Sequence, residues 1–352
     1  MKTYRGLYES VCSFDNLVRA ARRAARGKKD RVEVAGFLFE LEREVLRLRA
    51  ELLAREYRPQ PVRRFRIRDP KPRLIGAPCF RDRVVHHAFC QVVGPLLERS
   101  FIYDTYACRV GKGTHRALDR FTHYARRFPY VLKLDVQQFF ASIDHTILLA
   151  LVGRRIRDDG VMWLMGTILD SYRSDEGPWD YFPGDDLFTP LERPRGLPLG
   201  ALTSQLWANA YLGPLDHFVI EEVRVGGYVR YCDDIAVFGR DKPSLRRCRD
   251  AMCEYLAGLR LRPHPDKCMI YPVDRGVAFL GFKVFPDHRL LLKGNVRRFR
   301  RRMRRLRGEF ARGQVPADAI TRSVRAWVAH AGHGDTYHLR EGLLGELSFS
   351  KG

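Results

Sequence analysis

Apolar and polar positions divide the chain into a helical beginning, a strand-rich middle and a basic helical end. Leu38, Leu41, Val45, Leu48 and Leu52 recur at helical spacing among Glu42, Arg43, Glu44 and Arg49, which predicts an amphipathic helix over 38–52, stopped by Pro59 and Pro61. The period then shortens to two. Phe65 and Ile67 alternate with Arg64, Arg66 and Arg68, a Pro-bounded turn follows, and Arg73-Leu74-Ile75 resumes, predicting a basic β-hairpin. VLKLD, residues 131–135, is a short apolar run that ends in an acid, so a buried strand delivers Asp135 to its tip. The Gly-, Pro- and Asp-rich stretch 174–196 predicts a long loop. LTSQLWANAYLGPLDHFVIEEV, 202–223, has helical spacing and a Thr/Ser start that suits an N-terminal cap. YVRY and IAVFG then meet at Cys232-Asp233-Asp234, predicting a tight hairpin with two acids at its tip. Residues 276–285, GVAFLGFKVF, predict one further strand. From Val296 a helix carries the apolar stripe Val296, Phe299, Met303, Leu306 and Phe310, with arginines filling the other positions.

Asp135 and the Asp233/Asp234 pair are some hundred residues apart, yet each ends or turns a buried strand. If those strands are neighbours, the acids converge. Close carboxylates repel and raise one another's pKa, so a cluster ionised at neutral pH calls for a bound cation. Two Mg²⁺ ions there can clamp an attacking 3′-hydroxyl and a departing pyrophosphate, which is nucleotidyl transfer. An Asp-Asp pair alone is more often a solvated turn. The blocks around this one decide the matter: LKLDVQQFF and LGALTSQ precede it in order.

Composition narrows the partners. The formal net charge is +22 with a pI near 10.0, an excess that points to an anionic polymer more than to an anionic membrane surface. No apolar run approaches a bilayer span, and MKTYRGLYES lacks the apolar core of a signal peptide, so no membrane and a cytoplasmic location are expected. Cys12, Cys79, Cys90, Cys108, Cys232, Cys248, Cys253 and Cys268 show no zinc spacing and are expected to be reduced thiols.

Over about residues 62–340 these blocks resemble, in order, the motifs of reverse transcriptases. KPRLIGAPCFRDRVVHHAF resembles the fingers motif and TYACRVGKGTHRAL the one after it. LKLDVQQFFASIDH and YVRYCDD resemble the two catalytic motifs, and LPLGALTSQLWANAYLGPLDH the template-and-dNTP motif. Leu199-Gly200-Ala201-Leu202-Thr203-Ser204-Gln205 departs from the commoner Gln-Gly-x-x-x-Ser-Pro. That departure, with the tail WVAHAGHGDTYHL, is similar to the reverse transcriptases of diversity-generating retroelements. Retron-like, antiphage-defence and group II intron-type enzymes are the alternatives.

The resemblance implies an α+β right-hand polymerase fold: N-terminal helices and fingers over 1–130, a palm over 131–285 with an interleaved fingers segment at about 150–198, and a basic helical thumb over 286–352. It implies error-prone cDNA synthesis from a template-repeat RNA. Asp135, Asp233 and Asp234 are the implied catalytic metal ligands for two Mg²⁺, with the Val136 carbonyl completing a coordination sphere. Phe140 is the implied gate against a ribose 2′-hydroxyl, with Phe139 the inward-packing alternative. Lys71, Arg73 and Gln205 would bind dNTP, Lys267 would act as a general acid, and Leu199 and Gly200 would set template fidelity. Arg297, Arg298, Arg301, Arg304 and Arg305 would grip an RNA/cDNA duplex. A small basic oligomeric accessory protein is the implied partner. Asp144 is expected to cap a helix rather than to join the acids.

Overall fold

Among the described residues (2–67, 72–175 and 179–350 of this computed structural model), strands form three antiparallel sheets framed by helices, the α+β class expected. β1 (Arg63–Ile67) and β2 (Arg73–Ala77) are the basic hairpin. The central sheet combines β3 (Tyr130–Asp135), β4 (Gly227–Tyr231), β5 (Asp234–Gly239) and β6 (Met269–Pro272) in the order β4-β5-β3-β6. The third sheet is β7 (Val277–Phe279), β8 (Phe282–Val284) and β9 (Arg289–Leu291).

Strand alternation gives the central sheet two covered faces. Leu132, Leu134, Ile235 and Val237 enter a large core that also takes Leu17, Val45 and Phe89, so the N-terminal helices and the sheet share one interior. Val131, Ala236 and Phe238 face a second core, where Phe121 lies between Phe238 and Phe279. Each fully buried Val, Leu, Ile or Phe among them contributes roughly 1.5–3 kcal/mol. Together they hold the strand ends rigidly, and those ends carry the acids. The helix Lys293–Ala311 buries Phe299, Met303 and Leu306 against the helices Ala317–Ala331 and Tyr337–Gly345. No helix among the described residues is long and apolar enough to cross a membrane.

Four local expectations are revised. The 38–52 helix is broken at Glu40 into Val32–Phe39 and Leu41–Leu53. The run 276–285 is a hairpin rather than one strand, because Leu280 and Gly281 both take positive φ and turn β7 into β8; a Cβ on Gly281 would lie 2.7 Å from Asn295 Nδ2. The helix Leu202–His217 begins from Ala201 with no side-chain cap; Thr203 is already inside it, its hydroxyl 3.0 Å from His86 Nδ1. Within 179–196 the chain forms a one-turn helix, Thr189–Glu192, and Arg193 pairs with Asp185 of the same stretch and with Asp144 outside it. Asp144 caps the helix His145–Gly153, as expected, and also accepts from Arg260 at 2.7 Å.

Candidate active site

Asp135 and Asp234 are direct partners across β3 and β5, so their side chains leave the same face of the sheet at its end. Asp233 occupies the two-residue turn between Tyr231 and Asp234, beside Cys232 at φ 59°. The end of β3 is fixed from outside the sheet as well. His264 N–H donates to the Asp135 carbonyl at 2.7 Å, Gln137 N–H donates to Arg262 O at 2.8 Å, and buried Val136 bridges to Pro263.

Electrostatics separate the three acids. Burial, then the charge of Asp135, pushes the Asp233 carboxyl up to about 6. Burial also raises Asp234, but Lys133 forms an ion pair with it and opposes the rise. Asp135 pairs with Lys267, which reaches over from the one-turn helix Pro265–Lys267. Lysines thus sit against two of the three acids, Asp135 and Asp234. Among the described residues no three His, Cys, Asp or Glu side chains are arranged to hold a metal ion. The donor set that fits a divalent cation is Asp135 with Asp233: two hard oxygen ligands whose mutual repulsion a cation relieves. An open cleft of about 410 Å³ borders Asp135 and Asp234, lined also by Lys133, Lys267 and Lys283.

The other expected residues fall around this cleft or apart from it. Phe139 is buried and Phe140 only partly so, with their rings edge to face at 5.5 Å. Gln205 lies in the first turn of its helix and accepts from Cys108 Sγ at 3.3 Å. Arg73 is exposed on β2, and Lys71 lies outside the described residues. Leu199 O accepts from Gly76 N–H at 2.9 Å, and a Cβ on Gly200 would come within 3.0 Å of Gly76 O, which locks this turn onto the basic hairpin. Arg297, Arg298, Arg301, Arg304 and Arg305 are exposed on the helix Lys293–Ala311. Arg298 and Arg305 line an open groove of about 560 Å³ with Arg302, Ser323 and Trp327.

Sequence reasoning missed Lys133, although alternation puts it on the face of Asp135, two residues on. It also missed Arg230 and Asp216, which are fully buried and joined by two hydrogen bonds of 2.7 and 2.6 Å. A lone Arg in YVRYCDD gives no sign that it points inward.

Residues 67–284 match the family described as reverse transcriptase (RNA-dependent DNA polymerase). Protein YkfC of Escherichia coli (strain K12) is 28% identical over 286 residues, covering 70% of this chain and 71% of that protein. The group II intron-encoded protein LtrA of Lactococcus lactis subsp. cremoris is 28% identical over 168 residues, 47% of this chain and 26% of its own length. The chain thus spans only about a quarter of that relative. Telomerase from Candida Tropicalis with a TWJ fragment of telomeric RNA is similar at a TM-score of 0.49 and 12% identity, covering 87% of this chain and 59% of that one.

Proposed function

The chain belongs to the reverse transcriptase family and is an RNA-directed DNA polymerase, and from that premise we propose that it makes adenine-mutagenic cDNA from the template-repeat RNA of a diversity-generating retroelement. The observation that carries the finer reading is the block Leu199–Gln205, whose aliphatic residue before the glycine and glutamine after the serine mark that branch. Leu199 and Gly200 are held against β2. A templating base supported there would meet an apolar side chain with no hydrogen-bonding amide. That loosens selection opposite adenine.

In this proposal Asp135 and Asp233, with Asp234 as a further contributor and the Val136 carbonyl, would hold two Mg²⁺ ions. Bound divalent cations supply the charge neutralisation that phosphoryl transfer needs. The protein's own groups do the rest. Arg73 on β2 and the sequence neighbour Lys71 neutralise the incoming triphosphate, Gln205 orients the nascent pair, and Phe140 crowds a 2′-hydroxyl. Lys267, already at Asp135, protonates the leaving pyrophosphate. The residue 293–311 helix acts as the thumb and grips the template-primer backbone with Arg297, Arg298, Arg301, Arg304 and Arg305. The proposal includes a small basic accessory protein that recruits RNA.

A group II intron-type role is the second reading, favoured by the similarity to LtrA. Sequencing cDNA made by the purified protein on its own locus RNA, with and without candidate accessory proteins, separates the two. Substitutions concentrated opposite template adenine, and reduced by Leu199→Gln, are expected. An even error spectrum that Leu199→Gln leaves unchanged would reject the retroelement reading.

A further inference from the structure

Arg230 is large, charged and completely buried, yet it lies two residues from the hairpin tip that carries Asp233. All five of its N–H groups are directed at acceptors. Nε and Nη2 donate to the two oxygens of Asp216, Nη1 to Asn209 Oδ1 at 3.2 Å and Cys232 O at 3.1 Å, and Nη2 to Asn209 O at 3.3 Å. Its backbone is tied as well: Arg230 N–H donates to Asp104 O, and Tyr106 N–H donates to Arg230 O, both at 2.9 Å. Asn209 completes the knot by donating to Ala107 O at 2.9 Å, and Tyr228 OH donates to Asp216 at 2.6 Å.

Two consequences follow for the hairpin. Cys232 is a non-glycine residue in the left-handed region, a conformation that costs on the order of 1 kcal/mol and persists only where its surroundings hold it. The bond from Arg230 to the Cys232 carbonyl is the hold. Asp216 and Asn209 belong to the helix Leu202–His217 that also carries Gln205, so the guanidinium fastens the Asp233 turn and the Gln205 helix into one body.

We infer that Arg230 is a positioning residue: buried on the helix-packed face of the sheet, it fixes the Cys232-Asp233 turn against the Leu202–His217 helix and so sets where the Asp233 carboxylate stands. This rests on the reading of Asp233 as a metal ligand. Lysine at 230 keeps the charge toward Asp216 but loses the planar fork that reaches Asn209 and Cys232 together.

The test compares Arg230→Lys with Leu256→Ala, a core change on the helix Lys242–Gly258, matched by assaying both well below their unfolding temperatures. Primer extension, the Mg²⁺ concentration for half-maximal rate, and amide exchange over 228–236 are measured on each. For Arg230→Lys the expected result is about a tenfold or larger fall in kcat, since small misplacements of reacting groups have effects of that order. A several-fold higher Mg²⁺ requirement and faster exchange confined to the hairpin tip should accompany it. Leu256→Ala should change neither the Mg²⁺ requirement nor the tip. If Arg230→Lys proves too unstable to purify, Asn209→Ala, which leaves the Arg230–Asp216 pair intact, should show the same signature in weaker form. An Arg230→Lys or Asn209→Ala protein with wild-type Mg²⁺ dependence and tip exchange overturns the inference. Asp233→Asn is run alongside: if it still polymerises, the metal-ligand reading fails instead.

Discussion

Arg230 with Asp216 on the helix-packed face of the β4–β5 hairpin, and the acids Asp135, Asp233 and Asp234 at the end of the sheet, are ionic sites of opposite kinds. At the first, a carboxylate and a guanidinium cancel in charge, every guanidinium N–H is used, and Asp216 holds the arginine's pKa above its ordinary value although burial works against it. At the second, acids outnumber what the neighbouring lysines satisfy, and Asp233 is driven toward neutrality. Closed pairs make scaffold. Open ones wait for a ligand, so stability should fall when the first is broken and hold when the second is.

The largest expected effect on stability is at the closed pair. Asp216→Asn leaves a buried guanidinium without its counter-charge and should lower unfolding free energy by about 3–5 kcal/mol in denaturant titration. His86 gives a third case, burial with no counter-charge. It is fully buried, faces Thr203, and burial, reinforced by His87, holds its pKa down to about 4. Because the unfolded imidazole titrates near 6.5, stability is full above that pH and is lost as pH falls from there toward 4. The loss should be on the order of 2–3 kcal/mol, and His86→Gln should remove it from the pH profile.

Phe140→Ala moves to the open site. Opening the gate should cut discrimination against ribonucleotides by about 10–100-fold in competing kcat/KM measurements, with little change in stability. The smallest stability effect belongs to Asp233→Asn. It removes a carboxylate that resists ionisation, so the unfolding temperature should stay level or rise, within about 1 kcal/mol. A loss there as large as at Asp216 would erase the contrast between the two sites.

What was legible in the sequence follows the same division. Asp135, Asp233 and the β1–β2 and β4–β5 hairpins could be read because period-two alternation fixes which strand end carries an acid, and because the motif blocks keep their order, whereas the turn at Leu280-Gly281 was hidden inside an apolar run. Lys133 was equally readable from alternation and was overlooked. The Arg230–Asp216 pair was not readable, since it depends on how the Leu202–His217 helix lies against the sheet, which no local pattern encodes. The missing cap has the same origin. Thr203 looks like a capping residue by position, but tertiary packing turns it to His86. The loop 174–196 reads as irregular, and its anchoring by Arg193, with Asp144 held in turn by Arg260, joins segments far apart in the chain.

The most direct test of the account is dNTP incorporation on an RNA template by the purified chain as Mg²⁺ is titrated, for wild type and Asp233→Asn. Wild type should extend the primer only with a divalent cation, while Asp233→Asn, folded and no less stable, should give no product at any Mg²⁺ concentration. Extension by Asp233→Asn at a rate near wild type would contradict it.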